Sequence, residues 1–315
     1  MLSRVTLPSA PFTVSAFCLG GGGFGSSTTG DALDRLVGAF LEAGGDFFDT
    51  AHCYAFWAPG GAGCSERALG ACLRGFGVAE RVIVATKGAH PAVLPDYPRP
   101  DGYMDPDVVR GDIAESLARL ERGTIDLYYL HRDDPRVPVA ELLDALNGEI
   151  AAGRLRALGA SNWSTARLAE ANACAAARGW TGFSAAQPMW NLAAPNFTAT
   201  ADPTMRFLLP ADAAWHAASG VAVIPYSPTA NGYFATGGTR GGSFENPTTR
   251  ARLARAEALA AELGVSPNQL ALAWLQSHPF PVVPILGAGN PAHLADALAT
   301  TVTLNEAQRV WLAEG

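Results

Sequence analysis

The sequence predicts one α/β domain spanning residues 1–315, a (β/α)8 barrel with an N-terminal hairpin, extra C-terminal helices and rim loops. Three observations lead there. Short runs rich in β-branched or aromatic residues alternate with helix-like stretches eight times, each run reading as a buried parallel strand. No linker or composition break interrupts them. Several runs end on a polar residue: Asp49, with Tyr54 five positions on, then Lys87 and His131. In a barrel these residues meet at the C-terminal rim, where barrel enzymes carry their chemistry.

In order, residues 4–13 turn around Pro8–Pro11 and predict a hairpin. The strands are expected at Val14–Leu19, Asp46–Asp49, Val82–Lys87, Asp126–His131, Ala157–Ser161, Phe183–Gln187, Val221–Tyr226 and Val282–Leu286. Helical patterns fall at Asp31–Glu42, Ser65–Leu73, Asp107–Leu120, Val139–Ala152, Ala166–Ala177 and Ala211–Ala218. Two more, Thr248–Leu263 and Pro267–Gln276, precede the last strand; Pro291–Leu298 and Asn305–Glu314 follow it. Ser65 and Ser164 mark helix starts, and Ser266-Pro267 sets proline in a first turn. Gly153, Gly179 and Gly220 sit just past helix ends, where a left-handed residue is favoured. Long loops over 88–105, 189–210 and 227–247 lie on the rim side and are expected to shape a pocket.

The run Gly20–Gly25 satisfies a GxGxxG pattern, with Asp46 or Asp49 downstream. A dinucleotide-binding turn of that type opens directly into its helix, however, and here Ser26–Gly30 intervene. The glycines, Gly22 and Gly23 among them, are better read as letting a ligand approach the first strand closely.

Bulk properties narrow the function. Hydrophobic residues make up 49% and charged residues 16%, which suits a large buried core. The net charge of -7 and the lack of a Lys/Arg cluster argue against nucleic acid as a partner. No signal peptide or membrane-spanning run is evident, so a cytoplasmic location is expected. The five cysteines lack CxxC spacing and read as free thiols; Cys53 and Cys64, near the rim, are the candidates for reactivity. No His/Cys/Asp set has metal-ligand spacing, and His52, His90, His216 and His278 read as surface or structural.

Lys87 is the only lysine in the chain, so an amine is needed at that place. A nearby ammonium favours the phenolate of a tyrosine, a carboxylate keeps the ammonium charged, and an imidazole can donate to a carbonyl oxygen. Such a set protonates an oxygen that gains charge in a transition state. It supplies no hydride.

The segments Phe48-Asp49-Thr50-Ala51…Tyr54, Ala85-Thr86-Lys87-Gly88 and Leu130-His131-Arg132-Asp133-Asp134 resemble the catalytic tetrad segments of the aldo-keto reductases, in order. Leu158–Asn162 is similar to that family's nicotinamide-carboxamide segment, Gln187 to its glutamine, and Tyr226 to the aromatic that stacks on the ring. The resemblance runs from about residue 14 to 300 and implies NAD(P)H-dependent reduction of an aldehyde or ketone. It implies Tyr54 as proton donor, Lys87 lowering its pKa, Asp49 holding Lys87, and His131 orienting the carbonyl. Ser161, Asn162 and Gln187 would fix the carboxamide, while Ser227 and Thr229–Gly232 would wrap the pyrophosphate.

The stretch 284–297 resembles the family's adenosine 2′-phosphate site, with departures. Gly289, His293 and Ala297 stand where many relatives have cationic or amide partners, Gly287 lies within the stretch, and Asp296 could accept from the adenine amine. Family habit favours NADP(H), with Arg240 or His293 as phosphate partners, and the departures leave NAD(H) open. Phe24, Trp57 and Trp190 are assigned to a substrate pocket, with Phe56, Tyr97 and Tyr103 on the rim. Aromatics there, and Asp133-Asp134, suit a keto-sugar or another polar carbonyl compound. Two alternatives remain: a nucleotide-binding regulatory subunit with little turnover, and a cofactor-free lyase or isomerase.

Overall fold

The computed structural model describes residues 1–93, 96–196, 202, 204–240, 242–287, 289 and 291–314. The chain opens with an antiparallel hairpin, β1 (Arg4–Thr6) and β2 (Thr13–Ser15). Units then alternate: β3 (Cys18–Gly20), α1 (Gly30–Glu42), β4 (Phe47–Asp49), α2 (Cys64–Gly75), β5 (Ile83–Gly88), α3 (Pro106–Leu120), β6 (Ile125–Leu130) and α4 (Val139–Ala151). They continue through β7 (Leu155–Ser161), α5 (Thr165–Arg178), β8 (Phe183–Gln187), α6 (Pro210–Ser219) and β9 (Ala222–Val223). Helices α7 (Pro247–Leu263) and α8 (Pro267–Gln276) precede β10 (Ile285–Leu286), and α9 (Pro291–Leu298) and α10 (Glu306–Ala313) follow it.

Strands β3 to β10 form one parallel eight-stranded sheet in the order β10-β3-β4-β5-β6-β7-β8-β9. The sheet curls until its ends meet: Val223 N donates to Pro281 O at 2.9 Å, Val283 N to Val223 O at 2.9 Å, and Ile285 N to Pro225 O at 3.0 Å. This is the (β/α)8 architecture that the alternation predicts.

Two local expectations are corrected. The run Val14–Leu19 is not one strand. Val14 and Ser15 pair with β1, and only Cys18–Gly20 joins the barrel. The break occurs because Ser15 turns the chain: its hydroxyl donates to Phe17 O at 2.7 Å and its N–H to the Asp46 carboxylate at 2.8 Å. Ser65 does not cap α2. Gly63, at φ 83°, precedes the helix, and the buried Ser65 hydroxyl instead donates to Gly21 O at 2.7 Å and meets Thr50 Oγ1 at 2.7 Å. The other two starts hold, with Ser164 and Ser266 each accepting from the backbone three residues on. Among the described residues no helix is long and apolar enough to cross a membrane.

The barrel interior is a packed core. Cys18, Phe47, Ile83, Ala85, Leu127, Tyr129, Ala157, Ala185, Ala222, Ile224, Val283 and Ile285 fill it, and Leu7 and Val14 of the hairpin pack against them. The hairpin therefore plugs the N-terminal end and leaves only the C-terminal end open. A second apolar layer joins the strands to the outer helices.

Tyr129 lies wholly buried in the interior, where its hydroxyl faces the Gln187 side chain without a well-formed hydrogen bond. It fits because residue 159 on the adjoining strand is glycine; a Cβ there would overlap the Tyr129 ring. Gly159→Ala should therefore destabilise by about 1–3 kcal/mol through overpacking. Tyr129→Phe, which removes a hydroxyl only loosely engaged by Gln187, should change stability by less than about 1 kcal/mol. Urea unfolding checks both, and a large loss in Tyr129→Phe would mean that the hydroxyl is satisfied.

Candidate active site

Side chains along a strand alternate sides, so the inward column of each strand can be followed up to the rim. Phe47 leads to Asp49, Ile83 and Ala85 to Lys87, Leu127 and Tyr129 to His131, Ala185 to Gln187, and Ile224 to Tyr226. The apolar members form the core, and the last member of each column is polar. Residues far apart in sequence thus converge on one small volume at the open end.

Lys87 is 1% exposed and donates to Asp49 Oδ2 at 2.6 Å and to Thr50 O at 2.7 Å. Gln187 Nε2 donates to the other Asp49 oxygen at 3.0 Å. Tyr54 enters from the turn after β4, where its N–H bonds Ala51 O at 3.0 Å and Ala55 takes a φ of 62°. Its ring lies 4.6 Å from Lys87 Nζ and meets His131 edge-on at 5.8 Å between centroids. Asp49, Tyr54, Lys87 and His131 are therefore one cluster.

The electrostatics fix the proton inventory. Burial disfavours charge on Lys87, but the Asp49 carboxylate and Tyr54 outweigh it and raise its pKa above the ordinary value. Burial also pushes the Tyr54 phenol up, and the Lys87 ammonium pulls it only part of the way back. The sequence-based expectation of a lowered phenol pKa thus describes one contribution and not the net position. Burial, then Arg132 and His90, hold His131 well below its usual range, so its ring is neutral.

A second layer supports this cluster. Ser161 Oγ donates to Gln187 O at 2.8 Å. Asn162, at φ 61°, donates from Nδ2 to His131 O at 3.2 Å and to Ser161 Oγ at 3.0 Å. Its Oδ1 accepts from Tyr226 Oη at 2.8 Å and from Arg206 N at 3.1 Å. The Asn162 amide is thus fully engaged within the protein.

From Asp49 and Tyr54 a cleft of about 690 Å³ runs past Gly20, Gly22 and Tyr226, along Ser227–Thr229 and Asn231–Gly232, to His293, Asp296 and Ala297. Arg240, Asn268 and Gly287 also line it. Ser227, Ala230 and Asn231 have φ of 52°, 51° and 58°, a rare conformation for residues with a Cβ. Gly289 is exposed, and Ala288 and Asn290 of the 284–297 stretch lie outside the described residues.

Several sequence assignments are redirected. Trp190 is 7% exposed and packs on Trp274, His278 and Phe280, away from the cluster. Phe24 is 2% exposed and belongs to the core between the strands and helices, while Gly23 does not line the cleft. Of the three residues assigned to a substrate pocket, only Trp57 stands open, at 57% exposure. The Asp296 carboxylate already accepts from Ser266, Asn268 and Gln269, which docks α9 on α8. Tyr97 is buried against His52 at 2.7 Å. Tyr103 donates to Asp133 O, and Asp133 and Asp134 are held by Arg167 and Arg136.

The sequence reading missed Cys53 and His90 as neighbours of His131. Cys53 Sγ lies 3.6 Å from His131 Nδ1, and the His90 ring lies 4.7 Å from the His131 ring. The available signal was position: His90 follows Lys87 by three residues at the rim, and Cys53 precedes Tyr54. Burial pushes the Cys53 thiol up to about 12, so it is not a reactive thiolate at neutral pH.

Lys87→Met should cost about 3–5 kcal/mol in urea unfolding, because it leaves the Asp49 carboxylate buried without its counter-charge. Adding Asp49→Leu should recover much of that loss. A single variant as stable as the parent would show that Asp49 takes up a proton at little cost.

Residues 16–309 match the sequence model of the Aldo/keto reductase family. The chain is 31% identical over 273 residues to a 6-dehydroglucose reductase of Novosphingobium aromaticivorans, covering 85% of this chain and 80% of that protein. It is 28% identical over 304 residues to an uncharacterized oxidoreductase of Bacillus subtilis, covering 93% and 89% of the two chains. A Fusarium vanettenii aldo-keto reductase is 30% identical over 217 residues, covering 64% and 55%. With its parallel barrel and a family match over nearly its whole length, the chain belongs to the aldo/keto reductase family of oxidoreductases.

Proposed function

We propose that this chain, acting as one barrel unit over residues 1–315, reduces an aldehyde or ketone with NAD(P)H, Tyr54 delivering the proton. The observation that carries this reading is the buried group formed by Asp49, Lys87, Tyr54 and His131 at one end of the long cleft. The nucleotide supplies the hydride. The chain's residues bind it, orient the carbonyl and provide the proton.

The fit to a dinucleotide rests on the cleft itself. It is elongated, begins at the tetrad and ends against α9. The left-handed residues of the Ser227–Gly232 loop fold the backbone tightly along one wall, and strain of this kind collects at ligand clamps. Ser227 and the adjoining backbone would hold the pyrophosphate, and Gly20 and Gly22 would let it pass close to β3. Tyr226 would lie against the nicotinamide, with Ser161, Asn162 and Gln187 near its carboxamide. Because Asn162 is saturated, the carboxamide would have to replace the Tyr226 or Arg206 bond. At the far end Arg240, His293 and the backbone of Gly287 and Gly289 would meet the adenosine. The exposed Arg240 guanidinium is the charge partner for a 2′-phosphate, which favours NADP(H) over NAD(H).

In the reducing direction His131, neutral and held by its N–H to Gly88 O and by the Asn162 side-chain amide on its own carbonyl, would donate to the carbonyl oxygen. As hydride arrives at carbon, that oxygen gains charge and takes the Tyr54 proton. The resulting phenolate is stabilised by Lys87, whose own charge Asp49 maintains. A sugar carbonyl is the proposed substrate class. The Novosphingobium relative is named for reducing 6-dehydroglucose, and Trp57, three residues after Tyr54, offers an exposed ring on which a sugar could stack.

Titration of the protein with NADPH and, separately, NADH, followed by quenching of tryptophan fluorescence, tests the scaffold. Saturable binding is expected, tighter for NADPH; binding of neither would overturn the reading. Tyr54→Phe should lose nearly all turnover and keep nucleotide affinity within a few fold, and retained turnover would refute the proton-donor role. The pH dependence follows from the raised phenol pKa. The acid form is fully present throughout the neutral range, so Tyr54 contributes no fall in reduction rate there. Alcohol oxidation needs the phenolate and should rise with pH up to the raised pKa. A reduction rate that titrates away near pH 7, with the Tyr54→Phe variant as control, would contradict this.

A further inference from the structure

We propose that Cys53, His90 and His131 form a binding site for a thiophilic divalent cation of the zinc type. One ligand atom from each residue lies within 4.8 Å of the other two. Tetrahedral zinc, with bonds of about 2.3 Å to sulfur and about 2.0 Å to nitrogen, sets such atoms about 3.5 Å apart. The Cys53 Sγ to His131 Nδ1 separation, 3.6 Å, already matches that edge. Closing the third corner asks only for a small movement of the half-buried His90.

The surroundings prepare the ligands. His90 Nδ1 lies 2.8 Å from Pro91 O, a contact that requires a proton on Nδ1 and leaves the lone pair on Nε2. A backbone carbonyl on the second imidazole nitrogen is the usual way a metal-ligating histidine is oriented. The His90 and His131 rings meet edge to face at 71° and do not stack. His131 is fixed by its N–H to Gly88 O at 2.8 Å, and Cys53 by the turn that carries Tyr54. The nearest cations are each paired, Lys87 with Asp49 and Arg132 with Asp202.

Coordination replaces the proton on Cys53, which leaves to solvent as the sulfur–metal bond forms. Two neutral imidazoles and one thiolate leave one tetrahedral position for water or a ligand oxygen. Soft N/S donors of this kind select zinc-type ions over magnesium or calcium. The site touches the proposed catalytic histidine but needs no nucleotide, so it can be tested on the full chain without turnover.

The test is titration with Co²⁺ alone, followed by Zn²⁺ displacement. Expected is a thiolate-to-cobalt charge-transfer band in the near ultraviolet with visible ligand-field bands, saturating at one equivalent and lost on adding Zn²⁺. Cys53→Ser should abolish the charge-transfer band, and Cys64→Ser should leave it. His90→Gln should weaken binding by about 10–100-fold. No charge-transfer band at saturating Co²⁺, or one that persists in Cys53→Ser, would overturn the proposal. Should Cys53→Ser fail to fold, His90→Gln decides, since unchanged affinity there removes the second ligand and the site with it.

Discussion

One buried ion pair organises the open end of this barrel. Lys87 and Asp49 are both almost wholly removed from water, and neither would keep its charge there alone. The pair is viable because further bonds complete it: Thr50 O takes a second lysine proton, and Gln187 occupies the second carboxylate oxygen. Each of these partners comes from a strand end or the turn beside it. Correct closure of the barrel and satisfaction of the pair are therefore one condition. A sheet that failed to bring β8 round to β4 would leave Asp49 without its second donor.

The same constraint shapes the neighbouring groups. Tyr54 is held over an ammonium that cannot leave, yet burial keeps its proton in place. The result is a phenol loaded at neutral pH whose conjugate base has a fixed counter-charge close by. His131 is kept neutral by its surroundings, so it can donate a hydrogen bond without carrying charge into the site. An acid able to give up its proton and a neutral donor beside it suit protonation of an oxygen that becomes anionic in the transition state.

Much of this was legible in the sequence because a period of two does double work. The alternation that buries Phe47, Ile83 and Leu127 also points Asp49, Lys87 and His131 the same way, so a polar residue at the end of an apolar run marks the rim. Loop residues lack such a rule. Trp190 and Phe24 lie just beyond strand ends, where the chain has left the strand period, and both turn into apolar layers. His90 turns the other way, toward His131. Ser65 carries the composition of a helix cap, but its hydroxyl is needed beneath Gly21 and Thr50, and tertiary demand overrides local preference. The hairpin boundary shifted for a similar reason: the Asp46 carboxylate claims the Ser15 N–H from a distant part of the chain.

The polar layer behind the tetrad bears on how a cofactor would enter. Every donor and acceptor of the Asn162 amide is already matched, and Tyr226 is one of its partners. A nicotinamide seated as proposed must exchange protein bonds for its own, so the net gain from the carboxamide is small. Affinity would then come mainly from the longer remainder of the cleft, where the strained Ser227–Gly232 loop and Arg240 face the rest of the dinucleotide. The exchange falls on Asn162 Oδ1, where Tyr226 Oη and Arg206 N donate, and leaves the Nδ2 bond to His131 O in place. His131 thus keeps its support as the nucleotide enters, and a carbonyl set between Tyr54 and the nicotinamide must rest on the exposed face of the ring, which is why the cofactor would bind before the substrate.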